Sequence, residues 1–392
     1  MFQFLTKIVP RSAIFVLLVL TLAAVAAFAA VSHLVTRFNA NQQSRGRRLY
    51  AQGMADLSAG AADRAIEEFR GALTCDRANP QYQLSLGRAL RDTGRLDEAE
   101  SYLDSLWQRT PEDATINLAL ARVAARRGSL DDAIRYYRNA MYGVWSSDPE
   151  ANRLNARLEL VEFLMQKNAR AQAQSELVAL AAFLPPDPAL HLRVADLLAQ
   201  ALDYPDALAE YERVLLLDRG NPAALAGAGQ AAYRAGRYRT AQRYLQIAVN
   251  ARPQVPTLRY LQSSAKLILD TDPFVRRISD AERNRRIATA FATAGTRLSA
   301  CAQQRGVNLT VAANPAAPSS PSQPALATLE SRWLATRRDI PGLRSAAETD
   351  LPDVIMDLVF QIEQQTAEDC GEPQGADQAL LLISRDREIA DR

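Results

Sequence analysis

A small residue recurs through the middle of this 392-residue chain at Ala65, Ala99, Ala133, Ala173, Ala207 and Ala241. The spacings are 34, 34, 40, 34 and 34 residues, so six extra residues sit in the fourth period, around Asp148 to Arg153. Alanine alone is a weak marker in an alanine-rich chain, but other columns keep the same register. Four residues after each alanine stands Phe69, Leu103, Tyr137, Leu177, Tyr211 or Leu245, and three further on Ala72, Leu106, Ala140, Leu180, Val214 or Ala248. Twelve residues before it stands Gly53, Gly87, Ala121, Val161, Ala195 or Gly229. A glycine falls five before it at Gly60, Gly94, Gly128 and Gly236, replaced by Asn168 and Leu202 in the two middle periods.

Apolar residues at i, i+4 and i+7 make one stripe of a helix. Small residues twelve positions earlier let a second, antiparallel helix approach it, and a glycine between the two tolerates the positive φ that ends the first helix. Each period is therefore a helical hairpin that cannot bury its apolar face alone and must stack on its neighbours. At these positions the sequence resembles the tetratricopeptide repeat (TPR) family, membrane-anchored bacterial members in particular. The resemblance implies an all-α, right-handed α-solenoid of six hairpins over residues 46–255: 46–79, 80–113, 114–147, 154–187, 188–221 and 222–255. The family's tryptophan in the first helix is absent from every unit, and Val161 with the preceding insertion makes unit four the most divergent.

The N-terminus adds a second constraint. After a short tail, 1–11, residues Ser12 to Val35 run for 24 residues without Asp, Glu, Lys or Arg. That is long enough to cross a hydrocarbon core of about 30 Å as a helix. Residues 12–36 are read as a transmembrane helix or signal anchor, since the apolar run continues past the small-x-small site at Ala27–Ala29 that a cleaved signal peptide would use. Lys7 and Arg11 on one flank compete with Arg37, Arg45, Arg47 and Arg48 on the other in setting the orientation. A short basic leader governs a long translocated domain, so the soluble part is placed in the periplasm of a bacterial inner membrane, with the cytoplasmic face as the alternative.

Composition removes several classes of function. The 46 basic and 44 acidic residues nearly cancel, which gives no electrostatic case for binding nucleic acid. Only His33 and His191 occur, and none of HExxH, GxSxG, GxxxxGK[ST] or CxxC is present. Gly227–Ala232 matches a GxGxxA dinucleotide fingerprint, but no strand precedes it, so helix packing is the expected role. His191, at the start of unit five, is read as a surface or ligand-contacting residue. The chain is expected to lack cofactor, metal and small-molecule substrate, and to act by binding instead of catalysis.

In proteins of the resembling family the first helices line the concave surface, which holds a protein or peptide. Taken over residue by residue, that puts Arg88, Arg91, Leu118, Arg122 and Arg126 in the groove of units two and three, Glu162 and Asp196 in the next two, and Tyr233 and Arg234 in the last. The four arginines are candidates to hold an acidic peptide or a terminal carboxylate. The alternative is a solvated face on which Asp92 neutralises an arginine. The paired asparagines of a chaperone-tail clamp are missing.

Beyond the repeats, residues 256–306 read as capping helices, with Leu258, Leu261, Ala265 and Ile268 on one face of the first. Residues 307–325 form a Pro/Ala/Ser linker, and 326–392 a C-terminal helical module that either folds back onto the cap or docks separately. Of three cysteines, Cys75 is expected in the core. Cys301 and Cys370, on either side of the linker, form a disulfide if the domain is exported, or are two unrelated thiols. Membrane contact is expected through the N-terminal helix, and the expected role is a scaffold or adaptor in cell-envelope assembly, or else a cytoplasm-facing adaptor or regulatory subunit of a membrane enzyme.

Overall fold

The computed structural model describes residues 11–307, 322–345 and 350–390, so most of the 1–11 tail and of the 307–325 linker lie outside the described residues. The described residues are helical, with no strand beyond a single bridge between Asp113 and Val144. They fall into two compact units, Met1–Glu176 and Leu177–Arg392, taken in turn below.

The first unit opens with α1 (Arg11–Ser58), one uninterrupted helix of 48 residues. A separate anchor followed by a fresh repeat helix was expected from the sequence. Instead the segment carries neither proline nor positive φ between 12 and 58, so nothing stops the helix. Every side chain from Leu18 to Asn41 is exposed. Further along, Gly46 and Gly53 are buried against α2 (Ala62–Cys75). The hairpins α3 (Pro80–Asp92)–α4 (Leu96–Trp107) and α5 (Ala114–Arg127)–α6 (Leu130–Tyr142) follow, then α7 (Pro149–Gln166). Each helix from α1 to α6 packs on its successor, and α3 also packs on α5. The six extra residues do not form a loop; they lengthen α7 to 18 residues, because Asp148 caps it and Pro149 sits in its first turn.

Local sequence sets these ends. Asn79 and Asp113 accept hydrogen bonds from the first free amides of α3 and α5, and Pro80 starts α3. Asp97 and Glu98, and Asp131 and Asp132, occupy the first turns of α4 and α6, where they complement the helix dipole. The six column alanines are fully buried, and the large residue four positions on fills the space left by the small residue of the preceding helix. A Cβ on Gly87 would stand 2.9 Å from Leu103, and one on Gly53 2.6 Å from Phe69. Cys75, expected in the core, is a half-buried free thiol at the last residue of α2, with its Cβ against Gly46 of α1.

Helix α8 (Arg170–Ala181) crosses the boundary between the units. The second unit continues with α9 (Pro188–Gln200)–α10 (Tyr204–Leu217) and α11 (Pro222–Arg234)–α12 (Tyr238–Ala251), again with Asp187 and Asn221 capping the proline-started first helices. First helices are neighbours here too: α9 packs on α11, and α11 on α13 (Pro256–Thr271). Turn glycines 60, 94, 128 and 236 have positive φ, and so do Asn168 (57°) and Leu202 (69°) at the same column. The hairpin imposes the left-handed turn even where its residue is leucine.

The remaining helices are α14 (Asp280–Gln304), α15 (Ser322–Thr336), a 3-10 turn at Ile340–Ser345, α16 (Leu351–Cys370) and α17 (Gly375–Ala390). Helix α13 is not a free cap, because α17 packs against it while α16 packs on α14. The tail thus folds back, sharing one core with Ile268, Phe291 and Leu298 through Ile355, Val359, Ile362 and Leu380. Val354, next to Ile355 in the sequence, is instead 56% exposed at the start of α16. A disulfide joins Cys301 at the end of α14 to Cys370 at the end of α16, with Cα atoms 5.8 Å apart.

Candidate functional site

Within the first unit, α3, α5 and α7 lie side by side and leave an open cleft of about 670 Å³. Arg91, Arg122, Arg126 and Glu162 line it together, as the repeat register places them, joined by Asp92, Tyr137 and Glu159. The charges are largely spent on one another. Arg122 makes a two-pronged contact with Glu159 (Nε–Oε2 2.8 Å, Nη2–Oε1 2.6 Å). Arg91 folds onto Asp92 (Nη2–Oδ1 2.6 Å), and Arg126 donates to the backbone carbonyls of Arg91 (2.6 Å) and Asp92 (3.1 Å).

Electrostatics follow from burial and pairing. The Glu159 carboxylate holds the Arg122 guanidinium above its ordinary value, against the desolvation that opposes it. Burial, with the Glu159 charge beside it, pushes the Tyr137 phenol well up, so it stays a neutral donor. Arg88 behind the cleft is depressed by burial and by its neighbours Arg122 and Arg91, the mark of a cation cluster. Such a surface can accept a chain that exchanges its own charges for these pairs, and it holds no nucleophile poised by a base.

Leu118 does not belong to the cleft. At 6% exposure it is buried in the core and is not among the residues that line the cleft. Glu159 and Tyr137 were missed by groove positions copied one by one; the signal for Glu159 was an opposite charge 37 residues after Arg122, one repeat plus three.

In the second unit Asp196 is exposed and accepts from Tyr211 Oη (2.6 Å). Tyr233 bonds Ser264 (2.8 Å) and meets Tyr238 edge to face, while Arg234 is exposed. His191 is not a surface residue. It is 6% exposed, with Nδ1 2.7 Å from Oε2 of the buried Glu210, which Arg213 also holds (2.6 Å). A buried histidine paired with a buried carboxylate, itself held by the half-exposed Arg213, costs less than an unpaired buried histidine, so the pair is structural. The glycines of the GxGxxA match serve packing: a Cβ on Gly227 would meet the Tyr211 ring at 2.4 Å, and one on Gly229 would meet Leu245 at 2.7 Å.

Residues 45–107 and 84–148 match one tetratricopeptide repeat family model, and residues 198–265 another. No curated protein matches the chain. Among solved structures it is similar to PilF of Pseudomonas aeruginosa (16% identity, 57% of this chain and 99% of that one, TM-score 0.39). It is similar also to PilW, described as a widely conserved type IV pilus biogenesis factor (16%, 55% and 97%, 0.38). A third is YrrB, described as a TPR protein with an unusual peptide-binding site (16%, 50% and 99%, 0.38).

Proposed function

We propose, from the premise that this chain is built of tetratricopeptide repeats, that it is a membrane-anchored scaffold. Its N-terminal helix crosses a bacterial inner membrane once. Its helical hairpins stand on the periplasmic side, and the cleft between α3, α5 and α7 holds a partner protein or peptide during cell-envelope assembly. Its work is binding, without bond-making, cofactor or small-molecule substrate.

The observation that carries this reading is the exposed apolar stretch of α1 from Leu18 onward, whose most apolar 18 residues have a mean hydropathy of 2.3 and which continues without a break into the first hairpin. In water such a surface has no partner, and a bilayer supplies one. The exported side is supported by the Cys301–Cys370 disulfide, a bond that persists in oxidising compartments. A cytoplasm-facing adaptor, or a regulatory subunit recruiting substrate to a membrane enzyme, is the second reading, favoured by Arg37, Arg45, Arg47 and Arg48 beyond the apolar stretch.

A reporter fused to the C-terminus and active on only one side of the membrane separates the two. Affinity purification from gently solubilised membranes, with the natural chain and with Arg122→Ala/Arg126→Ala, tests the cleft. Loss of a partner in the variant is expected; the same partners in both would remove the cleft from the account.

A further inference from the structure

The outer end of α1 carries a feature that anchoring alone does not use. Asp56 is the first acidic residue of the chain, so Arg37, Arg45, Arg47 and Arg48 have no counter-charge on their own helix before it. All four are exposed, and among the described residues none makes an ion pair or hydrogen bond. At roughly 100° of turn per residue they fall within about 160° of arc. The buried Gly46 and Gly53 occupy the opposite side, where α2 packs, and a Cβ on Gly46 would lie 3.1 Å from Cys75. The helix thus exposes one basic side and commits the other to the first hairpin.

Distance decides whether that side can matter. Twenty-four apolar residues extend to about 36 Å, longer than a core of about 30 Å, and a helix with excess length tilts. Upright, Arg45 to Arg48 would stand about 17 Å past Val35. With a headgroup layer of about 5 to 8 Å, that leaves them about one Debye length above it. Leaning towards the arginine side brings the guanidinium groups down to the headgroups, and leaning away takes them out of range.

We infer that Arg37, Arg45, Arg47 and Arg48 form a one-sided docking surface for anionic phospholipid headgroups, which fixes the direction in which α1 leans and hence the pose of the first hairpin over the membrane. The proposal rests on the anchor reading and holds for either orientation of the chain. Attraction of basic residues beside a span to anionic lipid is its physical basis, and the unbroken helix makes the lean a property of the hairpin as well.

Asn39 and Asn41 are both exposed and lie on opposite sides of α1, Asn41 on the arginine side but about 3 Å further from the membrane along the axis. Single cysteines at these positions, in the full chain carrying Cys75→Ser, are labelled with a fluorophore and quenched by headgroup-attached spin labels. The vesicles are phosphatidylcholine, with or without phosphatidylglycerol. With phosphatidylglycerol the Asn41 probe is expected to be quenched more than the Asn39 probe. The axial order, Asn39 first, returns in phosphatidylcholine, in about 0.5 M salt where screening is within a few Å, and in Arg45→Gln/Arg47→Gln/Arg48→Gln. Axial order under every condition overturns the docking surface and leaves the anchor standing. No quenching at either position overturns the anchor reading itself.

Discussion

Reducing the Cys301–Cys370 bond removes the one covalent tie between α14 and α16. The two cysteines are 69 residues apart, so the closed loop contains α15, the 3-10 turn and nearly all of α16. Chain-entropy arithmetic for a loop of that length gives about 4 kcal/mol at room temperature, an upper figure because native contacts persist around it. For a urea dependence of about 2 kcal/mol per molar, the transition of this region moves down by roughly 2 M. Trp333 reports it locally: its ring stacks on Phe291 at 5.1 Å and its Nε1 donates to the Phe291 carbonyl at 3.1 Å. Urea titrations of oxidised protein, reduced protein and Cys370→Ala, followed by Trp333 emission with Trp107 and Trp145 replaced by phenylalanine, provide the measurement. Cys370 is only half-buried, so its truncation adds little packing loss, and the variant should track the reduced protein. Thiol counting under denaturing conditions should find one free thiol before reduction and three after. Superimposable curves for oxidised and reduced chains would refute the reasoning.

Other outcomes can be measured in the same way. Glu363, buried between α14 and α17 with Asp377 and Arg297 facing it, is pushed by burial from an ordinary 4.5 up to about 9. The native state then holds a proton that the unfolded chain has released, so stability should fall as pH rises from 4.5 through 9, and Glu363→Gln should flatten that slope in chemical denaturation. Gly229→Ala adds a Cβ 2.7 Å from Leu245, and overpacking of about 1 to 3 kcal/mol should outweigh a helix-propensity gain of about 1 kcal/mol. The same change made with Leu245→Ala should be neutral or stabilising, and simple additivity of the two would contradict the packing account. Leu202→Gly relieves a left-handed leucine and should raise the unfolding free energy by about 0.5 to 1 kcal/mol in urea denaturation, whereas a loss would mean that the half-exposed side chain contributes more than its backbone strain costs. Arg122→Ala leaves Glu159 beside Tyr137 without its partner and should cost about 1 kcal/mol, as expected for a pair that is about one-third exposed.

The repeat was legible because it is encoded in short-range terms. Small, large and turn residues at fixed offsets fix hairpins through steric fit, and Asn or Asp followed by proline starts α3, α9 and α11 wherever the chain is placed. Likewise the apolar run could be found by length and hydropathy alone. The sequence therefore determined the all-α fold, the period and the candidate face of the arginines. Tertiary structure decided how those side chains are used, since a charge's partner depends on which helix lies beside it. Arg122 is matched by Glu159 from the next first helix, and His191 by Glu210 across its own hairpin. Only packing could show that Leu118 faces inward, or that the last helices cover α13 instead of leaving it as a cap. Nor is the continuity of α1 visible as a signal, because a helix that does not stop is marked only by the absence of any residue able to end it.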